Sequence, residues 1–380
     1  MKALKYYIIS GEPSGDLHAS NMMKELLLLE PSMDVRFWGG DLMAAVAGKP
    51  PVKHIKDLAF MGFVEVAKNL RTILRNIEFC KQDILAYKPD VLILVDYPGF
   101  NLRIADWAKQ NNIRVLYYIS PTIWAWKENR VEIVKRACEK MFVILPFEVA
   151  VYQKHGYKAD YVGHPLLDAI EQEKASLPDR QAFIQKNGLD DKPIIAVLPG
   201  SRKQEIERMF SIMLDVIPSF RDYQFVVAGT TNLPPEAYEK AVAMNIKVVF
   251  GQTYALMHNA YAGIIKSGTS TLESALFRLP QVVCYKGGAI SYGIAKMVVG
   301  GRLKYISLPN LILDKPVVKE LVQTDLTAKN LKEELAKILD DAFRKPILED
   351  YDQLITLLGN SGASRKVAHM IHDHLHAAHH

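Results

Sequence analysis

The segment with the clearest chemistry is Gly263–Glu273, a short apolar run followed by a turn rich in serine, glycine and threonine. Its pattern predicts a strand, an open turn at Ser267, Gly268 and Thr269, and a helix that begins near Ser270. Backbone N–H groups at a helix N-terminus carry partial positive charge, so such a turn suits phosphate.

The first helical turn after this segment holds Thr271 and Glu273. A carboxylate there can accept hydrogen bonds from ribose hydroxyls, as acidic residues do in dinucleotide sites. A well-capped turn without a ligand, with Glu273 favoured by the helix dipole, explains the same residues. Both interpretations stay open on this segment alone.

A second turn suited to anions follows the apolar run Ile194–Leu198 and contains Gly200, Ser201 and Arg202. Glycine lets the backbone approach a ligand closely, and arginine can bind phosphate through two parallel hydrogen bonds. The alternative is an ordinary turn with a solvated arginine. Two such turns in the same half of the chain favour a nucleotide site there.

Asp96 follows the most apolar run of the first half, Val91–Val95. A carboxylate at the exit of a buried strand is partly desolvated, which raises its pKa and makes it a better general base near neutral pH. Asp96 could instead cap the next helix or pair with a basic residue. Asn101, five residues further on, is expected in the same loop, where it would line the substrate cleft.

The loop at the start of the chain, Ser10–His18, combines acids with glycines: Glu12, Ser14, Gly15 and Asp16 lie within it. It is neither a G-x-G-x-x-G fingerprint nor a P-loop, because it lacks the lysine of the latter. We interpret Glu12 and Asp16 as candidate catalytic acids. Capping of a helix by Asp16 is the structural alternative.

Two further loops are candidates for lining a substrate site. Trp124 and Trp126 lie two residues apart in Ser120–Lys127, where core packing and contact with a sugar or acyl chain are both plausible. His164 could donate a hydrogen bond to a ligand or simply pack near a domain boundary.

The segment Gly62–Ile77 has an apolar stripe together with Lys68, Arg71 and Arg75. A core-packed helix with a solvated basic face is the usual meaning of this pattern. A helix that lies on an anionic membrane surface is the alternative.

The bulk composition is ordinary for a soluble globular protein and does not indicate a nucleic-acid binder. The chain has 380 residues, 49% hydrophobic content and a net charge of +5, without a basic arm. Three scattered cysteines exclude a disulfide framework, and we expect a cytoplasmic protein that needs no metal or other cofactor. The histidine-rich end is interpreted as a solvated tail without function; its members are His369, His372, His374, His376, His379 and His380.

Strand-like runs alternate with helical segments through both halves, which predicts an α/β fold of doubly wound parallel sheets. We expect a Rossmann-like domain over 1–170, a second over 171–345, and helices over 346–380. Ligands of such sheets bind beyond the carboxyl ends of the strands, so the loops above should face a cleft between the two domains. The apolar stripes after residue 345 allow two arrangements: return to the first domain, or exchange within a homodimer.

These loops in this order resemble one family, the lipid-A-disaccharide synthases, which are GT-B glycosyltransferases of the bacterial outer-membrane lipid pathway. The motifs Asp-x-Pro-x-Phe-Asn and Ser-Pro-x-x-Trp-Ala-Trp are the most specific. The matching segments span nearly the whole chain: Ser10–Asp16, Gly62–Val66, Asp96–Asn101, Ser120–Lys127, Leu145–Glu148, Gly163–Pro165, Leu198–Arg202, Ser267–Glu273 and Tyr305–Leu311. Pro13 departs from the alanine that is common in the family.

The resemblance implies transfer of a sugar from UDP-2,3-diacylglucosamine to 2,3-diacylglucosamine 1-phosphate, with inversion and without a metal. It implies that Asp96 is the base, that Arg202 with the turn at Ser267–Thr269 balances the charge of UDP, and that Asn310 lines the cleft. It also favours a membrane-surface role for Gly62–Ile77, at the inner face of the inner membrane. Nucleic acid is not an expected partner.

Two other functions remain compatible with these residues. A UDP-N-acetylglucosamine transferase or 2-epimerase would share the nucleotide half, and acceptor dependence separates both from the synthase. A nucleotide-sugar-binding regulator without turnover would be insensitive to replacement of Asp96.

Overall fold

The computed structural model describes residues 3–58, 70–124, 129–287 and 304–377. The chain divides into two compact units. Unit 1 comprises Met1–Asp168 and Asn360–His380, and unit 2 comprises Ala169–Gly359. The two Rossmann-like α/β units confirm the predicted fold class.

Unit 1 is built on a seven-stranded sheet with the strand order β3-β2-β1-β4-β5-β6-β7, and its paired strands are parallel. Central strand β4 is buried along its whole length because every residue is apolar and helices cover both faces. The strands are β1 Lys5–Ser10, β2 Asp34–Gly39, β3 Lys53–His54, β4 Val91–Val95, β5 Val115–Tyr118, β6 Lys140–Val143 and β7 Asp160–Tyr161.

The helices of the N-terminal part alternate with these strands. They are α1 Pro13–Leu29, α2 Asp41–Ala47, α3 Leu70–Tyr87, α4 Pro98–Gln110, α5 Arg130–Ala137, α6 Pro146–Lys154 and α7 Pro165–Lys174. Helix α1 begins at Pro13, inside the segment predicted as a loop (Ser10–His18), because proline is suited to the first turn of a helix, where no N–H partner is needed.

Unit 2 has a six-stranded parallel sheet with the order β10-β9-β8-β11-β12-β13. Its strands are β8 Ile194–Leu198, β9 Gln224–Gly229, β10 Lys247–Phe250, β11 Ala262–Lys266, β12 Gln281–Tyr285 and β13 Lys319–Val322. Its helices are α8 Arg180–Asn187, α9 Lys203–Asp215, α10 Glu239–Ala243, α11 Thr253–Asn259, α12 Thr269–Leu276, α13 Leu308–Leu313, α14 Ala328–Leu339 and α15 Asp341–Leu358. Apolar clusters cover both faces of this sheet.

The segment 346–380 is divided between the units. Helix α15 belongs to unit 2, whereas the last helix, α16 (Ala363–His376), packs on α1 of unit 1 through Val367, Ile371 and Leu375. The expectation of a solvated tail is therefore wrong up to His376. None of the described helices is long and apolar enough to cross a bilayer.

The start of α16 is held by Asp168 of α7. Its carboxylate accepts hydrogen bonds from the backbone N–H groups of Gly362, Ala363 and Ser364, the last at 3.0 Å. These N–H groups lie at the start of the helix, where the backbone provides no carbonyl acceptor for them.

We expect Asp168→Ala to lower the free energy of unfolding by about 2–3 kcal/mol, because three buried or half-buried donors lose their acceptor. Urea denaturation followed by far-UV circular dichroism measures the change. Glu171→Gln, an exposed change on the same helix, is the matched control and should leave the transition in place. An Asp168→Ala curve that overlays the control would refute the capping role.

Candidate active site

The carboxyl edge of the unit 1 sheet carries Asp96 in an unusual backbone conformation. Asp96 and Tyr97 both have positive φ angles, 48° and 50°. Such angles cost energy for residues other than glycine and cluster at functional sites. The peptide N–H of Asp96 donates to the carbonyl of Tyr118 on neighbouring β5, which keeps the turn in register with the sheet.

Two buried side chains hold the peptide of Asp96 through its carbonyl oxygen. The Asn101 amide and the Tyr117 hydroxyl each donate to the Asp96 carbonyl oxygen at 2.7 Å. Asn101 is fully buried and also reaches the carbonyl of Val95. Asn101 therefore holds the turn that presents Asp96, instead of lining a substrate site as predicted.

Burial raises the pKa of the Asp96 carboxyl to about 6, and the negative charge of Glu12 adds to the rise. This confirms the expectation that the strand exit desolvates Asp96. A carboxylate with this pKa is ionised at neutral pH yet more basic than an ordinary aspartate, which suits a general base.

The first loop packs closely against the Asp96 turn. A Cβ atom at Gly11 would overlap the ring of Tyr97, and one at Gly15 would contact the Ser10 hydroxyl. Glycine at both positions lets the loop approach β4 and place Glu12 near Asp96. Ser14 is exposed on the same loop.

Asp16 is buried and caps a neighbouring helix. Its carboxylate accepts hydrogen bonds from the backbone N–H groups of Gly40 at 2.7 Å, Leu42 at 3.1 Å and Met43 at 3.2 Å. These groups open α2, so the helix that Asp16 caps is not its own. These contacts support the capping alternative for Asp16, through α2 instead of α1. Its role as a catalytic acid stays a prediction.

Replacement of Asp16 by alanine should lower the free energy of unfolding by about 2–4 kcal/mol, because three donors at the start of α2 lose one shared acceptor. Urea titration measures this loss. Asp41→Ala on the same helix is the control, since that side chain is exposed and makes only surface ion pairs. Full stability together with lost turnover would instead make Asp16 a reacting group.

Trp124 is joined to a buried carboxyl. Its indole Nε1 donates to the Glu148 carboxylate at 3.3 Å, and its ring packs edge-on against Phe147. Burial raises the pKa of Glu148 to about 7. The carboxylate also accepts the N–H of Leu145, so it caps α6 while orienting the indole. Trp126 lies outside the described residues.

His164 is buried, and its Nδ1 accepts the N–H of Leu166 at the start of α7. Burial lowers the pKa of His164 to about 3, so the ring is neutral. His164 thus caps α7, and its contact with a ligand stays a prediction.

In unit 2 the two predicted anion-binding turns lie on one cavity of about 480 Å³. Gly200, Ser201 and Arg202 come from the turn after β8, and Gly268 and Thr269 from the turn after β11. Gly200 has a φ of 109°, which a residue with a Cβ rarely adopts. The cavity combines backbone donors with cationic side chains, and this chemistry suits a diphosphate.

Sequence reasoning missed the group that organises this cavity. Glu205, in the first turn of α9, accepts the N–H groups of Ser201 and Arg202 and forms a 2.7 Å ion pair with Lys266. Lys266 ends β11 directly before the predicted turn. A lysine at the end of a buried strand needs an acidic partner, and that requirement could have pointed to Glu205. Thr230, Thr231, Gly251 and Thr253 also line the cavity.

Other predicted ligand residues hold the turn itself. The Ser267 hydroxyl donates to the carbonyl of Ile306 at 3.0 Å, and buried Thr271 donates to that of Gly268 at 2.7 Å. Glu273 accepts a hydrogen bond from the Tyr254 hydroxyl at 3.0 Å, and burial raises its pKa.

Asn310 is buried with its amide fully engaged. It donates to the carbonyl of Val318 and to the Glu320 carboxylate, both at 2.9 Å, and accepts the N–H of Val318. Glu320 in turn accepts the N–H and hydroxyl of Ser307. Asn310 therefore joins α13 to β13. Its place in the cleft, which the resemblance implied, stays a prediction.

Comparison with solved structures defines the class of fold. The UDP-GlcNAc 2-epimerase of Neisseria meningitidis, solved with UDP-GlcNAc, matches with a TM-score of 0.66 at 13% identity over 97% of this chain and 99% of its own. The glycosyltransferase of kitacinnamycin matches with a TM-score of 0.62 at 13% identity over 99% and 100%. Two Rossmann-like units of this kind form a GT-B fold.

Comparison of sequences gives the family. The profile described as lipid-A-disaccharide synthetase matches residues 6–373. The lipid-A-disaccharide synthase of Syntrophus aciditrophicus is 36% identical over 96% of both chains, and that of Coxiella burnetii is 34% identical over 96% of this chain and 97% of its own. The chain belongs to the lipid-A-disaccharide synthase family.

Proposed function

We propose that the protein is an inverting glycosyltransferase that joins UDP-2,3-diacylglucosamine to 2,3-diacylglucosamine 1-phosphate. The products are UDP and the β-1′,6-linked disaccharide 1-phosphate. Family membership supports this choice of substrates over a simple UDP-N-acetylglucosamine donor.

The observation that carries the mechanism is the half-buried position of Asp96 at the carboxyl end of β4, where burial and the charge of Glu12 raise the pKa of its carboxyl. Asp96 accepts the proton of the acceptor 6-hydroxyl as its oxygen attacks the anomeric carbon. The charge of Glu12 helps to raise the pKa of Asp96. Asp16 binds the start of α2 and so positions the loop Ser10–Glu12 that precedes α1. Ser14 and Trp124 contact the sugars or their acyl chains.

Unit 2 binds the nucleotide in this proposal. Negative charge develops on the UDP oxygen as the bond to the sugar breaks, and Arg202 with the N–H groups at Gly268 and Thr269 stabilises it. Lys266 lies at the same cavity, where its charge is paired with that of Glu205. Glu273 accepts a ribose hydroxyl, and these groups allow the reaction to proceed without a metal.

We further propose that the Gly62–Ile77 region meets the cytoplasmic face of the inner membrane, where acylated substrates lie. Residues 59–69 are outside the described part of the chain. Beyond them, α3 exposes Arg71 and Arg75 next to Leu74, whose side chain is 52% exposed. Cosedimentation with anionic vesicles should weaken in Arg71→Glu/Arg75→Glu and remain in the control Arg136→Glu.

A mixed-micelle assay tests the reaction. UDP release from UDP-2,3-diacylglucosamine is measured with and without 2,3-diacylglucosamine 1-phosphate, in EDTA. The proposal requires release that depends on the acceptor and persists in EDTA. Turnover of plain UDP-N-acetylglucosamine with none of the acylated pair would reject the lipid substrates and leave the epimerase or another transferase.

A further inference from the structure

Two histidines and a glutamate that take no part in the proposed reaction lie together in unit 1. Glu30 directly follows α1, and His372 and His376 lie one turn apart on α16. One carboxylate oxygen and one nitrogen from each ring all lie within 4.8 Å of one another. We propose that these three residues form a zinc site that links the C-terminal helix to the N-terminal helix.

The distances fit a tetrahedral ion. Glu30 Oε1 lies 2.9 Å from His376 Nε2 and 4.0 Å from His372 Nε2. Neighbouring ligand atoms of a zinc ion with bonds of about 2.0–2.1 Å are about 3.3 Å apart. The observed separations lie on either side of that value, so small side-chain rotations bring all three atoms to coordination distance. Water completes the fourth position.

Outer contacts already orient two of the ligands. The hydroxyl of buried Tyr6 donates to Glu30 Oε1 at 2.8 Å. His372 Nδ1 lies 3.4 Å from the Asp373 carboxylate, and a proton shared there leaves the lone pair on Nε2, toward Glu30. Carboxylates and imidazoles that bind metals have such partners, which fix the tautomer and the ring orientation.

The donor set selects the class of ion. Two imidazoles and one carboxylate suit zinc and its transition-metal neighbours, whereas magnesium and calcium prefer oxygen ligands alone. Only 11% of the Glu30 side chain is exposed, so the ion would be partly shielded from water.

Binding at this place has a structural consequence. Asp168 holds the first turn of α16, and the zinc site would hold its last turn against the end of α1. An ion that binds the folded state and not the unfolded chain stabilises the fold by mass action. The site is independent of the proposed transfer reaction.

Zinc titration of the full-length, metal-free protein in competition with a chromophoric chelator tests the inference. We expect one zinc per chain and a rise of the unfolding midpoint by about 3–6 °C at saturation. His372→Ala, His376→Ala and Glu30→Gln should each weaken zinc affinity at least ~10-fold. Their midpoints in EDTA show whether each variant still folds.

Two controls separate this site from the other histidines of the tail. His374→Ala removes a ring in the same turn of α16 that contacts Glu139 instead, and it should leave zinc affinity unchanged. His379→Ala/His380→Ala should also leave it unchanged. The proposal is overturned if zinc binding survives both His372→Ala and His376→Ala, or is lost with the last two histidines.

Discussion

Asp96→Asn is expected to lower kcat for disaccharide formation by about 10²–10⁴-fold, the usual contribution of a general base. Asparagine keeps the size of the side chain and tolerates the positive φ of this position. The lost function is then the acceptance of a proton. Single-turnover kinetics with the acylated pair measure the chemical step directly. Asp106→Asn, which changes a half-buried aspartate of α4 that pairs with Arg136, is the matched control.

The pH dependence identifies the group. Since the base acts when ionised, kcat/KM of the native protein should fall as the pH drops below the pKa of Asp96, about 6. The charge of Glu12 contributes to that pKa, so Glu12→Gln should move the acid limb of the profile to lower pH. A limb that stays in place would mean that another group titrates.

The raised pKa of Asp96 also predicts how the free energy of unfolding depends on pH, and this dependence runs opposite to that of kcat/KM. The folded protein raises the pKa of Asp96 from its ordinary value of 3.8 to about 6, so folding favours the neutral carboxyl. Its contribution to stability is complete below pH 3.8 and is lost as the pH rises through about 6. Asp96→Asn stays neutral and should exceed the native protein in stability by on the order of 2 kcal/mol at pH 8.

That gain should shrink as the pH approaches 4, because the native carboxyl then becomes neutral as well. Urea denaturation of both proteins at several pH values measures the difference, and other titrating groups cancel because the two chains share them. A variant that is inactive and less stable at pH 8 would show that the substitution damages the turn. Loss of activity would then say nothing about a base.

The sheets could be predicted from sequence because their strands are continuous apolar runs. Val91–Val95 and Ile194–Leu198 are observed with the predicted bounds. Both strands are buried on both faces, so every residue in them is apolar and the bounds of each run are clear in the sequence. The placement of Asp96 followed from the strand before it. The positive φ values of Asp96 and Tyr97 did not, because nothing in the local residue types demands them.

The partners of buried polar groups were less predictable. Asp16 serves N–H groups more than twenty residues away, and Asn310 is engaged by β13. Such pairings depend on which loops the fold brings together and leave no periodic signal. The same reason explains why Glu205, whose role depends on Lys266 from another strand, was overlooked.

Arg202→Ala should lower kcat/KM by about 10²–10³-fold, because Arg202 lines the cavity where the diphosphate of UDP is proposed to bind. Affinity for UDP alone, measured by calorimetry, should fall at least ~10-fold. Arg202→Lys keeps the charge but not the paired donors, so it should recover only part of the loss. Lys203→Ala is the matched control: the adjacent side chain is 77% exposed and pairs with Glu207.

Glu205→Gln tests whether cationic charge in the cavity or the geometry of its turn governs UDP binding. The variant keeps an oxygen that can accept the N–H groups of Ser201 and Arg202, but it releases Lys266 from its ion pair. If cationic charge in this cavity governs UDP binding, the freed Lys266 should tighten UDP while Arg202→Ala weakens it. If the geometry of the turn governs binding, Glu205→Gln should leave UDP affinity and the chemical step near their native values, because the glutamine oxygen still accepts the two N–H groups. Native UDP affinity in Arg202→Ala would exclude this cavity as the diphosphate site.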